Sequence, residues 1–229
     1  MKTVILLLAT AAGIQPVHGQ TVGSRARTFT LESIKGLEPV NVMVEASTYR
    51  GRRAVRLLER DSAASQSAGG PAIAVLTDSD FGEGTVELMV AGTVRPGADA
   101  GARGFIGLAF HIEPDNSHFQ TFYLRPTNGR ATEQLRRNHA VQYTSEPDFP
   151  WARLRKENPD EYESYADMEP GVWTRMKIVV SAKKAELFVN GAEQPSLVVN
   201  DFKAGAERGR LALWIGPGTD GYFTNLTVR

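Results

Sequence analysis

Apolar and polar residues alternate along most of this chain with a period of two, the repeat that sends successive side chains to opposite faces of a β-strand. The alternation predicts strands at Thr28–Ser33, Val40–Ala46, Ala54–Glu59, Ala72–Leu76, Gly84–Val90, Phe105–Ile112, His118–Arg125, Ala140–Thr144, Val172–Ser181, Ala185–Asn190, Arg210–Ile215 and Tyr222–Val228. Turn signals separate them: Pro96-Gly97, Asn128-Gly129, Pro170-Gly171, Asn190-Gly191 and the run from Gly216 to Gly221. Many short strands punctuated in this way predict a sandwich or a barrel. Helix is expected in one place, from Pro150 to about Lys156, where proline suits a first helical turn. Ser62 to Gly70 and Arg95 to Arg103 are expected to be loops. No internal repeat and no boundary between two cores is visible.

One hairpin is legible in detail. Phe105–Ile112 and His118–Arg125 flank the turn-rich Glu113-Pro114-Asp115-Asn116-Ser117. With Ile112 opposite His118, one face carries Ile106, Leu108, Phe110, Phe122 and Leu124, an apolar core face. The other carries Phe105, Gly107, Ala109 and His111 opposite Phe119, Thr121, Tyr123 and Arg125. Glycine inside a strand marks a close approach of a ligand or another backbone, so a shallow groove is expected beside Tyr123. Arg210–Ile215 repeats the theme, with Arg210, Ala212 and Trp214 on one face. Together these faces predict a sheet lined with Tyr, Trp, Arg and His.

Composition narrows the setting. The first residues, MKTVILLLATAAGIQPVHGQ, have the charged start, short apolar core and small residues of a secretory signal peptide, residues 1–19, cut before Gln20. A secreted or periplasmic protein is therefore expected, with no membrane span in the mature chain of about 210 residues. There is no cysteine, which excludes disulfides, thiolate metal sites and a cysteine nucleophile. Lys plus Arg number 26 and Asp plus Glu number 26, so no global field favours nucleic acid.

The C-terminal third resembles a known superfamily. The segments GVWTRMKIVV (171–180), AELFVNG (185–191), GRLALWIG (209–216) and GYFTNL (221–226) resemble the concanavalin A-like lectin/glucanase superfamily. They are most similar to its laminin-G-like and 3-keto-disaccharide-hydrolase-like bacterial branches, and the likeness extends over Gly84 to Arg229. It implies an all-β, two-sheet antiparallel jelly-roll sandwich, here one domain over residues 20–229, whose concave sheet or rim loops bind carbohydrate. Two motifs of those enzymes are missing: the E-x-D-x-x-E strand of the glucanases and the Asn-Ser-Gly triplet of the keto-sugar hydrolases. The stretch from about residue 126 to 168 is an insertion relative to a minimal laminin-G core.

That insertion, with the strand before it, is dense in groups that stack on rings or bind hydroxyls. Tyr123, Arg125, Asn128, Arg136, Arg137, Asn138, His139, Gln142, Tyr143 and Trp151, joined by Trp214, form the candidate carbohydrate-binding set. The adjacent Arg136 and Arg137 offer a fork for a carboxylate or sulfate, so an acidic sugar is among the expected partners. For an enzyme, the candidates are His139, Glu163 and Asp167. A glycosidase needs two carboxyl groups across one bond, whereas Glu163 and Asp167 on a continuous strand would stand about 13–14 Å apart. A lyase-like mechanism would use His139 or Tyr143 as base, with Arg136 or Arg137 neutralising charge. No cofactor is expected; Asp78-Ser79-Asp80 and Asp115-Asn116-Ser117 offer Ca²⁺ oxygen atoms, yet fewer than it prefers. Carbohydrate binding is the favoured function. A glycoside or keto-sugar hydrolase or lyase, and a laminin-G-like protein-interaction module, are the alternatives.

Overall fold

Sheet-forming residues account for nearly all the regular structure of the computed structural model, which describes residues 26–60, 70–203, 205 and 207–229. The expected signal peptide and residues 61–69 lie outside the described residues. The strands are β1 (Arg27–Phe29), β2 (Leu37–Val40), β3 (Val42–Tyr49), β4 (Arg52–Glu59), β5 (Ile73–Leu76), β6 (Gly84–Val94), β7 (Ile106–Ile112), β8 (Phe119–Leu124), β9 (Val141–Glu146), β10 (Glu163–Ser164), β11 (Thr174–Ser181), β12 (Lys184–Val189), β13 (Leu197–Val199), β14 (Arg210–Ile215) and β15 (Thr219–Val228). Three short helices join them: α1 (Pro126–Gly129), α2 (Gln134–Asn138) and α3 (Trp151–Glu157).

The strands form two antiparallel sheets, and the fold is a jelly-roll sandwich. One sheet runs β13-β12-β11-β6-β15-β4-β3, with β1 paired to the second half of β15. The other runs β10-β9-β8-β7-β14-β5-β2. Between them lies the main core. It takes Val55 and Leu57 from β4, Val86, Leu88 and Val90 from β6, and Ile178 and Phe223 from their own strands. The facing sheet supplies Ile106, Leu108, Phe110, Phe122, Leu213 and Ile215. These are the alternate positions of the sequence pattern, and their removal from water drives the two sheets together.

The predicted hairpin register is observed: Ile106 pairs with Leu124, Gly107 with Tyr123, and Leu108 with Phe122. Other expectations are corrected. The run expected as Val40–Ala46 is two strands in different sheets, because Asn41 adopts a left-handed φ of 55° and turns the chain from β2 into β3. Asparagine tolerates that region better than most residues. His111 does not continue the outer face of β7. A φ of 54° and a register shift opposite Arg210/Ala212 bulge the strand, and its ring packs with Phe81, Phe110 and Phe202 beside the core. The strand expected at Ala140–Thr144 is present as β9, and with β10 it carries the insertion into the second sheet beyond β8. The helix at 150–156 forms as α3, with Pro150 as its N-cap, while α1 and α2 went unpredicted.

The central strands β7 and β8 of that second sheet are buried on both faces. A smaller apolar cluster, Ile73, Val75, Ala109, Ile112, Phe119 and Ala212 with Val40 and Trp214 packed against it, lies on the face turned away from the main core. No helix among the described residues is long and apolar enough to cross a membrane.

Candidate functional site

Strand register lines up one row of residues across the outer face of the second sheet. Val40 pairs with Ile73, Ile73 with Trp214, Trp214 with Gly107, Gly107 with Tyr123, Tyr123 with Gln142, and Gln142 with Glu163. The row is apolar on the β2 side, aromatic in the middle and polar at β10. Gly107 stands between the two aromatic residues and has no side chain. The rings of Trp214 and Tyr123 therefore meet over it, their centroids 4.7 Å apart and their planes 27° from parallel. An added Cβ at Gly107 would come within 2.1 Å of the Phe122 carbonyl oxygen and 2.7 Å of the Tyr123 backbone. The glycine is thus required by the close approach of the neighbouring strand, one of the two causes expected from the sequence.

Arg125 lies over the polar end of the row. Its guanidinium donates to the Tyr123 hydroxyl at 3.0 Å, Gln142 Oε1 at 2.7 Å, Glu163 Oε2 at 2.8 Å and the His139 carbonyl at 3.1 Å. Glu163 accepts a second guanidinium, from Arg155 on α3, through Oε1 at 2.6 Å. Burial resists the charge of Glu163 most strongly, but the hydrogen bonds and charges of Arg155 and Arg125 outweigh it and hold its carboxyl below the ordinary range. Burial pushes the Tyr123 hydroxyl up to about 12, so it stays protonated.

Above this row opens a cavity of about 860 Å³. Phe105, Tyr123 and Trp214 form its floor, and Asn128, Arg136 and His139 one wall. Trp151 and Arg155 on α3 form a second wall, and the 95–103 loop with Pro217 and Gly218 closes the far end. Trp151 is 47% exposed, with the Arg155 guanidinium 4.8 Å from its ring centroid. Asn128 is buried; it donates to the His139 carbonyl at 2.9 Å and accepts from Arg136 at 3.4 Å. Glu146, at the end of β9, also lines the cavity, and burial raises its carboxyl pKa against a hydrogen bond from Thr144. His139 is shifted the other way, its pKa lowered by burial and by Arg155 and Arg125, so it is neutral near pH 7.

The structure thus gathers Tyr123, Arg125, Asn128, Arg136, His139, Trp151 and Trp214 around one cavity. It places the other candidates elsewhere. Tyr143 is fully buried in the main core, because it pairs with the inward-facing Phe122, while Tyr123 pairs with Gln142 on the outer face. Gln142 is buried beneath Arg125 as a support. Arg137 turns away to the Tyr165 hydroxyl at 3.0 Å, and Asn138 accepts from Gln134 on the helix surface. Consecutive helical residues do not share a face, so the Arg136-Arg137 fork does not form. Glu163 and Asp167 do not make a catalytic pair. Glu163 is enclosed by two arginines, and Asp167 is exposed and paired with Arg130 at 2.7 Å. The two oxygen-rich turns are also occupied: Asp115 accepts from the Ser117 amide and hydroxyl, Asp80 pairs with Arg208, and Asp78 with Arg27. Among the described residues no group of three or more His, Asp or Glu is disposed to hold a metal ion.

Sequence reasoning missed Arg103, Arg155 and Glu146, which reach the cavity from a loop, a helix and a strand end. Arg155 was detectable in principle, since it stands four residues beyond Trp151 and helical spacing puts both on one face.

No protein-family profile matches the chain, and no curated protein matches it in sequence. Solved structures share its architecture. A carbohydrate-binding module, CBM66 from Bacillus subtilis, is 14% identical, with a TM-score of 0.54 over 85% of this chain and 96% of that one. A protein of unknown function with a galectin-like fold from Bacillus subtilis is 12% identical, with a TM-score of 0.56 over 89% and 94%. A putative glycosyl hydrolase from Parabacteroides distasonis is 11% identical, with a TM-score of 0.50 over 86% and 89%. The shared fold is a two-sheet antiparallel jelly-roll sandwich. At these identities the likeness is one of architecture, and function must be argued from the site.

Proposed function

We propose that the cavity over Trp214 binds carbohydrate and that the protein is an exported lectin-like module, akin to the laminin-G-like and 3-keto-disaccharide-hydrolase-like bacterial branches. The observation that carries this is Trp214, half-buried in the cavity lining with one ring face stacked on Tyr123. A ring held this rigidly presents an apolar face to a pyranose at little cost in entropy, and Trp151 offers a second ring from α3. Asn128, Arg136 and His139 on one wall, and Arg155 on another, supply hydrogen-bond donors and acceptors to sugar hydroxyls. Guanidinium groups in the walls suit anionic sugars as well as neutral ones. Binding is proposed to need no Ca²⁺.

The test is retention of the mature protein, starting at Gln20, on a glycan array with and without EDTA, beside Trp214→Ala and Trp151→Ala. Retention that both variants lose supports the site. Retention that both keep places carbohydrate elsewhere, and no retention by any of the three rejects the function.

A second reading, an enzyme on the same glycans, is favoured by one feature. Glu146 is a cavity carboxyl whose pKa is raised by burial, the direction required of a general acid. Release of reducing ends from a retained glycan, abolished by Glu146→Gln, would establish it.

A further inference from the structure

The arginines of the cavity are not equivalent. The two terminal nitrogens of Arg125 are fully used: four protein oxygens on Tyr123, His139, Gln142 and Glu163 accept from them. Arg155 is committed to Glu163. Arg103 differs, because its Nη1 donates only to the backbone carbonyls of Ala100 and Ala102, at 2.6 and 2.7 Å. Among the described residues no carboxylate lies within ion-pair reach of it. Burial and the neighbouring charges of Arg136 and Arg125 all disfavour its charged form. Arg136 is also incompletely used. It reaches Asn128 at 3.4 Å and Glu133 at 3.6 Å, and its Nε is buried with no hydrogen-bond partner.

Two guanidinium groups from separate elements thus line one cavity, and the charge of Arg136 disfavours that of Arg103. An anion between them would offset that repulsion. Each guanidinium has the planar fork that matches a carboxylate or sulfate. Both line the cavity whose floor is Trp214. Among the described residues the other cavity carboxyl groups make no ion pair with either arginine: Glu59 accepts from the Gly218 amide, Asp99 is exposed, and Glu146 accepts from Thr144.

We propose, resting on the carbohydrate-binding reading, that Arg103 and Arg136 form a seat for the anionic group of an acidic sugar, its carboxylate or sulfate held while the ring lies against Trp214. The ligand class is therefore an acidic glycan, with charge read by a residue pair 33 positions apart in sequence.

Titration calorimetry on the mature protein tests this with tri-galacturonate, its trimethyl ester, a sulfated galactan fragment and the same fragment desulfated. The expected result is binding of at least one anionic probe on the order of tenfold or more tighter than its neutral counterpart, a preference that Arg103→Gln and Arg136→Gln each remove. Arg103→Lys, which keeps the charge and the fold while losing the fork, should retain part of the preference. Which anionic probe wins distinguishes carboxylate from sulfate. Equal binding of charged and neutral probes overturns the seat while leaving the carbohydrate reading standing. A preference unchanged in both Gln variants overturns it too. No binding of any of the four, with a wider glycan array also blank, sinks the underlying function instead.

Discussion

Trp214 and Tyr123 stand on strands that are not neighbours, yet their rings stack 4.7 Å apart. They meet because β7 runs between β14 and β8 and places Gly107 at the one position where any side chain would intervene. The cavity floor is thus a property of three strands and one missing Cβ.

Replacing Gly107 with Ala should accordingly damage both fold and floor. The added methyl meets backbone, the Phe122 carbonyl, which cannot rotate away. A loss of about 1–3 kcal/mol, the usual scale of overpacking, is expected. Urea denaturation of the variant should show it as a lowered midpoint, and near-ultraviolet dichroism should report the lost ring stack. An unchanged midpoint would mean that β7 and β8 are free to separate.

Glu163 joins Arg125 and Arg155 beneath the cavity, and both its oxygens are used. Removing one partner of a buried ionic group leaves the others uncompensated, so Glu163→Ala should cost about 3–5 kcal/mol. The native pKa of Glu163 is lowered, so its contribution is complete above the unfolded carboxyl value. It is lost as pH falls below about 4.5 and through the native value. Thermal melts of wild type should therefore drop below that pH, and the variant should drop less over the same range.

Glu146 has the opposite sign. Its native pKa is raised, so the neutral form favours the fold and ionisation opposes it as pH rises through that value. Glu146→Gln should raise the melting temperature at pH 7 by roughly 2–4 °C, the scale of 1 kcal/mol in a domain of this size. The gain should vanish below about pH 4, where both side chains are neutral. A lower melting temperature at pH 7 would show that the ionised carboxylate has a stabilising partner.

The two tryptophans of the cavity should separate binding from stability. Trp214 is packed against Tyr123 and the outer apolar cluster, whereas Trp151 is 47% exposed on α3. Trp214→Ala should weaken sugar binding by roughly 30-fold, the scale of a 2 kcal/mol contact, and lower the melting temperature as well. Trp151→Ala should weaken binding with the melting temperature nearly unmoved. Calorimetric titration beside melts of both variants checks the contrast.

The residue pattern alone was enough for the all-β class, most strands, the 106–124 hairpin register and the outward direction of Tyr123 and Trp214. These follow from local alternation, since a period of two fixes which side chains share a face once two strands are paired. It also marked the 122–151 stretch as rich in binding chemistry. Local pattern could not show that Tyr143 would point into the core, since that depends on β9 joining the sheet beside β8. Nor could it split Arg136 from Arg137, which required a helix at 134–138 to send them to different sides.

Tertiary structure alone decided which charges are spent. Arg125, Arg155 and Glu163 resemble other charged residues in the chain, and only the pairing of β9 with β10 and the packing of α3 bring them together. Arg103 became a neighbour of Arg136 only through folding of the 95–103 loop over the end of the sheet. Side-chain alternation is carried by adjacent residues, so the sequence determined the faces. The partners of a charge are set by distances between segments far apart in the chain, and only the closed sandwich fixes those.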